Sequence, residues 1–183
     1  MNKIYDQLSF QCSKATTKLY STSFSMGISM LEKKYQKPIY NIYGFVRLAD
    51  EIVDNMHGHN KKILLNKLKI DYLEAIKNKI SLNPILNSFQ KTVNQYDIDL
   101  KLIEQFMISM EMDLDTKTTY TKEKYDYYIL GSAEVVGLMC LKVFVDGNEN
   151  QYKMLSTFAK KLGSAFQKIN FLRDLSSDFH ELG

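Results

Sequence analysis

The spacing of its apolar residues most narrows what this chain can become: they recur mostly at three- and four-residue intervals rather than alternating. That period belongs to helices with one buried face. Only two prolines and eight glycines punctuate the 183 residues, so long helices can run uninterrupted. The chain is expected to be all-α. With 45% hydrophobic residues it has material for one domain with a sizeable core, and too little for two.

A first helix is expected over about 2–19, then a polar turn, Ser21-Thr22-Ser23-Phe24-Ser25, and a looser stretch reaching Lys37. Pro38 suits the first turn of a second helix running to about Asn55. Residues 56–60 read as a loop and about 61–80 as a Lys-rich amphipathic helix. Asn83 looks like an N-cap with Pro84 following it, opening a helix to about Asn94. A further helix is expected from about Asp99 to Asp115. Thr121 caps a long one to Val145, and Asn148 opens the last, which continues to about His180.

The formal net charge is +3, from scattered residues and without the basic run that a nucleic-acid footprint requires, so nucleic acid is not an expected partner. Cys12 and Cys140 lie far apart without metal-type spacing, and the N-terminus has no apolar signal-like core. A reducing cytoplasm is the expected location. The most apolar stretch, Val135 to Val145, is broken by Lys142 and falls short of the ~20 residues that span a bilayer, so any membrane contact is expected to be peripheral.

Two segments carry ionisable groups where an apolar helix would otherwise run. At about 100° per residue, Tyr43, Arg47, Asp50 and Asp54 fall within about 60° of one another. Gln167, Asn170, Asp174 and Asp178 repeat the arrangement within about 80°. A lone Asp pair at i, i+4 is usually solvated surface. Here both stripes sit among Phe, Leu, Ile and Val, where a carboxylate is costly unless it is paired or holds a cation. Two facing Asp pairs suit Mg²⁺, a hard ion that binds a few carboxylates together with substrate phosphates. Arg47 and Arg173 offer forked donors for phosphate oxygens, although Arg173 lies off its stripe and serves equally well as an ion-pair partner for a neighbouring helix. The apolar, aromatic remainder suits a long hydrocarbon and shields a carbocation from water.

At these residues the chain resembles the squalene/phytoene synthase family. The resemblance begins at Ser21-Thr22-Ser23-Phe24, continues through Tyr43-x-x-x-Arg47-x-x-Asp50-Glu51-x-x-Asp54, and includes Met110-Glu111-Met112-Asp113-Leu114. Tyr128-x-x-Gly131-x-Ala133-x-x-Val136-Gly137-Leu138-Met139 is similar to the middle signature in its phytoene synthase form. Gly163-x-x-x-Gln167-x-x-Asn170-x-x-Arg173-Asp174-x-x-x-Asp178 is similar to the second aspartate-rich motif. The family implies an all-helical isoprenoid-synthase bundle around an apolar cavity, and a Mg²⁺-dependent prenyltransferase, with Mn²⁺ as a substitute ion. Two prenyl diphosphates are joined head to head through a cyclopropyl intermediate, for phytoene from two geranylgeranyl diphosphates.

By that resemblance Asp50, Glu51, Asp54, Asn170, Asp174 and Asp178 are the metal set, with Glu51 and Asn170 as supporting oxygens. Ser21, Phe24, Arg47, Gln167, Asn170 and Arg173 meet substrate, and Tyr43, Arg47, Tyr128 and Arg173 stand at the reacting centre. Phe24, Tyr43 and Tyr128 equally suit plain helix packing.

Glu51 and Glu134 stand where many relatives have Asp and Gly, and the role of Glu134 is open. The chain ends at Gly183, just after the second motif, where relatives continue through further helices. It is expected to hold about the N-terminal two-thirds of the family fold. An apolar face on Tyr128–Val145 and on Phe158–Leu175 is expected to stay open and to favour self-association. The rival readings are a squalene or dehydrosqualene synthase using farnesyl diphosphate, with NADPH for squalene, and a non-catalytic helical binding or assembly protein.

Overall fold

The computed structural model describes residues 3–114 and 121–182, with side chains described through Leu172. Among the described residues regular structure is entirely helical: α1 Lys3–Tyr20, α2 Thr22–Met30, α3 Lys33–Asp54, α4 Lys61–Asn78, α5 Pro84–Tyr96, α6 Leu100–Met112, α7 Lys122–Ile129, a π-helical turn Leu130–Glu134, α8 Val135–Phe144 and α9 Glu149–Leu182.

The helix starts follow local chemistry. The Asn60 side chain accepts the Ile63 N–H, Asn83 accepts those of Ile85 and Leu86, Asp99 that of Lys101 and Thr121 that of Lys124, each satisfying a donor with no partner inside its helix. Two expectations are corrected here. The stretch after the Ser21 turn is not loose, because Ser21 Oγ accepts the Phe24 N–H at 3.2 Å and opens α2. Pro38 is not in a first turn, because α3 begins at Lys33. The proline removes only the bond to the Lys34 carbonyl, close to the helix start, while buried Ile39, Tyr40, Ile42 and Phe45 hold the rest.

The core centres on α3. Phe45 is stacked on Phe89 at 4.0 Å between ring centres, meets Tyr72 edge-on at 5.6 Å and Phe106 at 5.9 Å, and so ties α3 to α4, α5 and α6. Helix α1 joins by a different chemistry. Ser9, Ser13 and Thr17, four residues apart and fully buried, let it lie close against α3 and α5. Their hydroxyls are satisfied by the Tyr5 carbonyl at 2.7 Å, by Ser88 Oγ at 2.7 Å and by the Ser13 carbonyl at 2.9 Å.

Helix α9 packs on α8 and the π turn through two glycines. A methyl group at Gly163 would stand 2.7 Å from the Ala133 carbonyl oxygen, and one at Gly137 2.9 Å from that of Ala159. Gly163→Ala is therefore expected to push these helices apart and to cost about 1–3 kcal/mol, read as a lower denaturant midpoint. An unchanged midpoint would mean that the crossing is not tight.

The expected open face is corrected in part. In Tyr128–Val145, Val135, Leu138, Met139, Leu141, Val143 and Val145 are buried. Lys122–Phe144, long and apolar enough to cross a membrane, has half of its apolar window buried in the bundle, as the core helix of a globular domain does. The second candidate face does stay open. On α9, Met154, Phe158, Leu162, Phe166, Ile169 and Leu172 form a stripe 51–74% exposed.

Candidate active site

The first acidic stripe lies on the last two turns of α3, and one cation sits among it. Arg47 Nη2 donates to Glu51 Oε2 at 3.0 Å, while Nη1 lies 3.9 Å from Asp50 and 3.8 Å from Asp54. The guanidinium rests 4.3 Å from the centre of the Tyr20 ring, and its Nε is buried with no partner. Glu51 also accepts from Asn55 Nδ2 at 3.0 Å. Burial works against the Glu51 charge, but hydrogen bonds from Asn55, Arg47 and Tyr20 outweigh it and hold its pKa below the ordinary value.

Asp50 is the opposite case. Its side chain is 30% exposed at the floor of the site, and burial raises its pKa to about 7, reinforced by Asp54, Asp113 and Glu51 and only partly opposed by Arg47. Asp113, at the end of α6, is likewise raised to about 7, by burial first and by Asp54, against the lowering effect of a hydrogen bond from Tyr128. That bond runs from the Tyr128 hydroxyl to Asp113 Oδ2 at 3.1 Å. Asp113 stands within the Met110–Leu114 motif, and no site role is expected of it from sequence. The signal was an acid on an apolar helix, and the long-range approach to Asp54 that gives it meaning is not local to the sequence.

Aromatic rings connect this acidic mouth to α9. Phe24 lies 5.3 Å from Tyr43 and 6.2 Å from Phe166, so α2 bridges α3 and α9. Tyr128 lies 6.2 Å from Phe171, with Tyr125 6.1 Å from the same ring. Gln167 and Asn170, both half-buried, flank this aromatic wall on α9. The expectation that all four aspartates converge cannot be followed further on α9, because the side chains of Arg173, Asp174 and Asp178 lie outside the described residues. Ser21 is placed beside the site, but its oxygen is engaged as the cap of α2. Glu134 is half-buried in the π turn where α9 crosses it, and nothing in the structure gives it a site role.

The described donors suit a divalent cation. Asp50, Glu51 and Asp54 lie around Arg47, Asp113 interacts with Asp50 and Asp54, and burial first of all raises the pKa values of Asp50 and Asp113 to about 7. Among the described residues no three such groups form a ready-made chelate.

An all-helical bundle with an acidic mouth and an aromatic wall is the architecture of isoprenoid synthases, and comparison with known proteins places the chain within that class. The description "Squalene/phytoene synthase" matches residues 17–183, and the chain belongs to that family. It is 22% identical over 175 residues to phytoene synthase of Mycobacterium tuberculosis, covering 93% of this chain and 54% of that protein. It is 24% identical to 4,4'-diapophytoene synthase of Staphylococcus haemolyticus, covering 87% of this chain and 55% of that protein. A crystal structure of a dehydrosqualene synthase in complex with ligand superposes with a TM-score of 0.83 at 25% identity, over 96% of this chain and 59% of that one. The chain thus spans about half the length of the curated relatives it matches.

Proposed function

We propose that these residues form the first part of a head-to-head prenyl diphosphate synthase, one domain whose favoured reaction joins two geranylgeranyl diphosphates to give phytoene. The observation that carries the proposal is the family match over residues 17–183 together with the carboxylates Asp50 and Asp113, raised by burial to about 7, near the aromatic rings of α2, α3 and α9. Asp50 and Asp54 would hold Mg²⁺, with Asp174 and Asp178 contributing from the second motif. Bound there, the ion supplies charge neutralisation for a leaving diphosphate. Arg47 is stacked on Tyr20 and has an unpartnered Nε, so it is poised to turn a donor toward a phosphate oxygen. Tyr43, Phe24 and Phe166 keep water from the allylic chain and present ring faces to developing positive charge. A cytoplasmic location with peripheral membrane contact fits an apolar product and belongs to the same proposal.

A shorter substrate has specific support from the diapophytoene and dehydrosqualene synthase relatives, so farnesyl diphosphate is the second reading. The test is incubation of a form extended to the relatives' length with each diphosphate, with and without Mg²⁺ and NADPH, and analysis of products by mass. Phytoene from the C20 substrate alone supports the first reading and a C30 product the second. No hydrocarbon from either would overturn both.

The exposed stripe on α9 bears on the 183 residues taken alone. They are expected to turn over little or no substrate and to self-associate through that face, where large apolar side chains sit at helical spacing. Sedimentation should show concentration-dependent association that Phe158→Glu with Leu162→Glu abolishes. A monomer with full turnover would refute this.

A further inference from the structure

Helix α6 meets α7 along a narrow seam. Gln105, Ser109 and Asp113 are spaced four residues apart on one face of α6, and each makes a polar contact across it. Gln105 Oε1 accepts from the Tyr127 hydroxyl at 3.4 Å, Ser109 Oγ shares its one donor between the Tyr128 carbonyl and the Gln105 carbonyl of its own helix, both at 3.4 Å, and Asp113 Oδ2 accepts from the Tyr128 hydroxyl at 3.1 Å. Tyr128 is therefore held at both ends. Ser109, fully buried, can come this close because Gly131 leaves a notch for it: a methyl group there would overlap the Ser109 hydroxyl and stand 2.6 Å from the Gln105 carbonyl oxygen.

The π turn explains how Tyr128 comes to face α6. Tyr128 lies seven residues before Val135, and in an unbroken α-helix the two would point within about 20° of each other. Val135, Met139 and Val143 face the core. The turn, in which the Val135 N–H reaches back five residues to the Leu130 carbonyl, holds one extra residue and rotates everything upstream by about 100°. A phenol that would have pointed with Val135 points instead at Asp113.

We propose that Ser109 is a positioning residue: seated in the Gly131 notch and bonded to the Tyr128 carbonyl, it fixes α7 on α6 so that the Tyr128 phenol is delivered to Asp113. The geometry stands on its own, and only its consequence for catalysis rests on the functional reading above. A tyrosine held by an acid beside Phe171 is fixed in place before substrate arrives, where preorganisation counts most.

The test reads the tyrosine itself, without substrate. In the 183-residue chain labelled with ¹³Cζ-tyrosine, Tyr128→Phe identifies the resonance and Asp113→Asn gives its position without the carboxylate partner. Ser109→Ala is expected to move the Tyr128 signal at least halfway to that position. Ser88→Ala, which empties another buried serine site on Ser13, should leave it unmoved. Gly131→Ala, which closes the notch, should reproduce the Ser109→Ala shift and serves if that variant does not fold. A Tyr128 signal that moves no further in Ser109→Ala and Gly131→Ala than in Ser88→Ala would overturn the proposal. Failure of the prenyl-transfer assay with the Ser109 effect intact would instead remove the functional reading and leave this one standing.

Discussion

Asp50→Ala, in a form of the protein extended to the length of its relatives, should reduce product formation by on the order of 10³-fold or more while leaving the far-ultraviolet circular dichroism unchanged. The two halves of that expectation have one cause. Asp50 sits at the floor of the site with its pKa raised to about 7, so it is a group the fold tolerates rather than needs. Its only cationic neighbour among the described residues, Arg47, is closer to Glu51. Removing it costs the protein no hydrogen bond within the described structure, but it takes away an oxygen that a divalent cation would use. Asp174→Ala should behave alike, since Asp174 follows Asn170 by one helical turn on α9. A second readout needs no turnover: the rise in melting temperature on adding Mg²⁺ with inorganic diphosphate should be lost in both variants. Wild-type activity in either one would remove the metal assignment.

Stability should rise, not fall, as the pH is lowered from about 8 to about 5.5. Asp50 and Asp113 both have folded-state pKa values raised from 3.8 to about 7. The folded state therefore holds protons that the unfolded chain has released, and stability present below the unfolded value is lost as the pH climbs through about 7. Glu51 and Asp6 work the other way, since their lowered values give stability that disappears only in more acidic solution, at and below the ordinary carboxylate range. The interval from pH 5.5 to 8 thus isolates the first pair. One pKa unit corresponds to about 1.4 kcal/mol, and water reaching the partly exposed Asp50 reduces the effect, so about 1–3 kcal/mol in all is expected. Asp113→Asn should raise the midpoint of denaturant unfolding at pH 8 and flatten its pH dependence. A midpoint that falls between pH 8 and 5.5, or an Asp113→Asn variant less stable at pH 8, would contradict the burial of these charges. The same linkage makes a cation at this mouth stabilising at neutral pH, where the carboxylates are ionised against their surroundings.

The sequence by itself determined whatever depends on neighbours a few residues away. Helix starts at Asn83-Pro84 and Thr121 follow from side chains that reach donors two or three positions on, and the phase of Tyr43, Arg47, Asp50 and Asp54 follows from the helical repeat. The motif resemblance named the family for the same reason, since its residues are read in order along the chain. Tertiary structure decided what depends on distant segments meeting. Asp113 became part of the site because the end of α6 approaches Asp54 and Tyr128. Tyr128 turns to α6 because Leu130–Glu134 is wound as a π turn, held where Ser109 enters the Gly131 notch, and no local period announces that extra residue. Lys33–Lys37 became helical against the sequence reading because burial of Ile39, Ile42 and Phe45 extends α3 backward past Pro38. The stripe on α9 stays open while Tyr128–Val145 is covered, although both are apolar in sequence. Apolar periodicity says that a face wants a partner, and only packing says whether α3, α6 and α9 supply one.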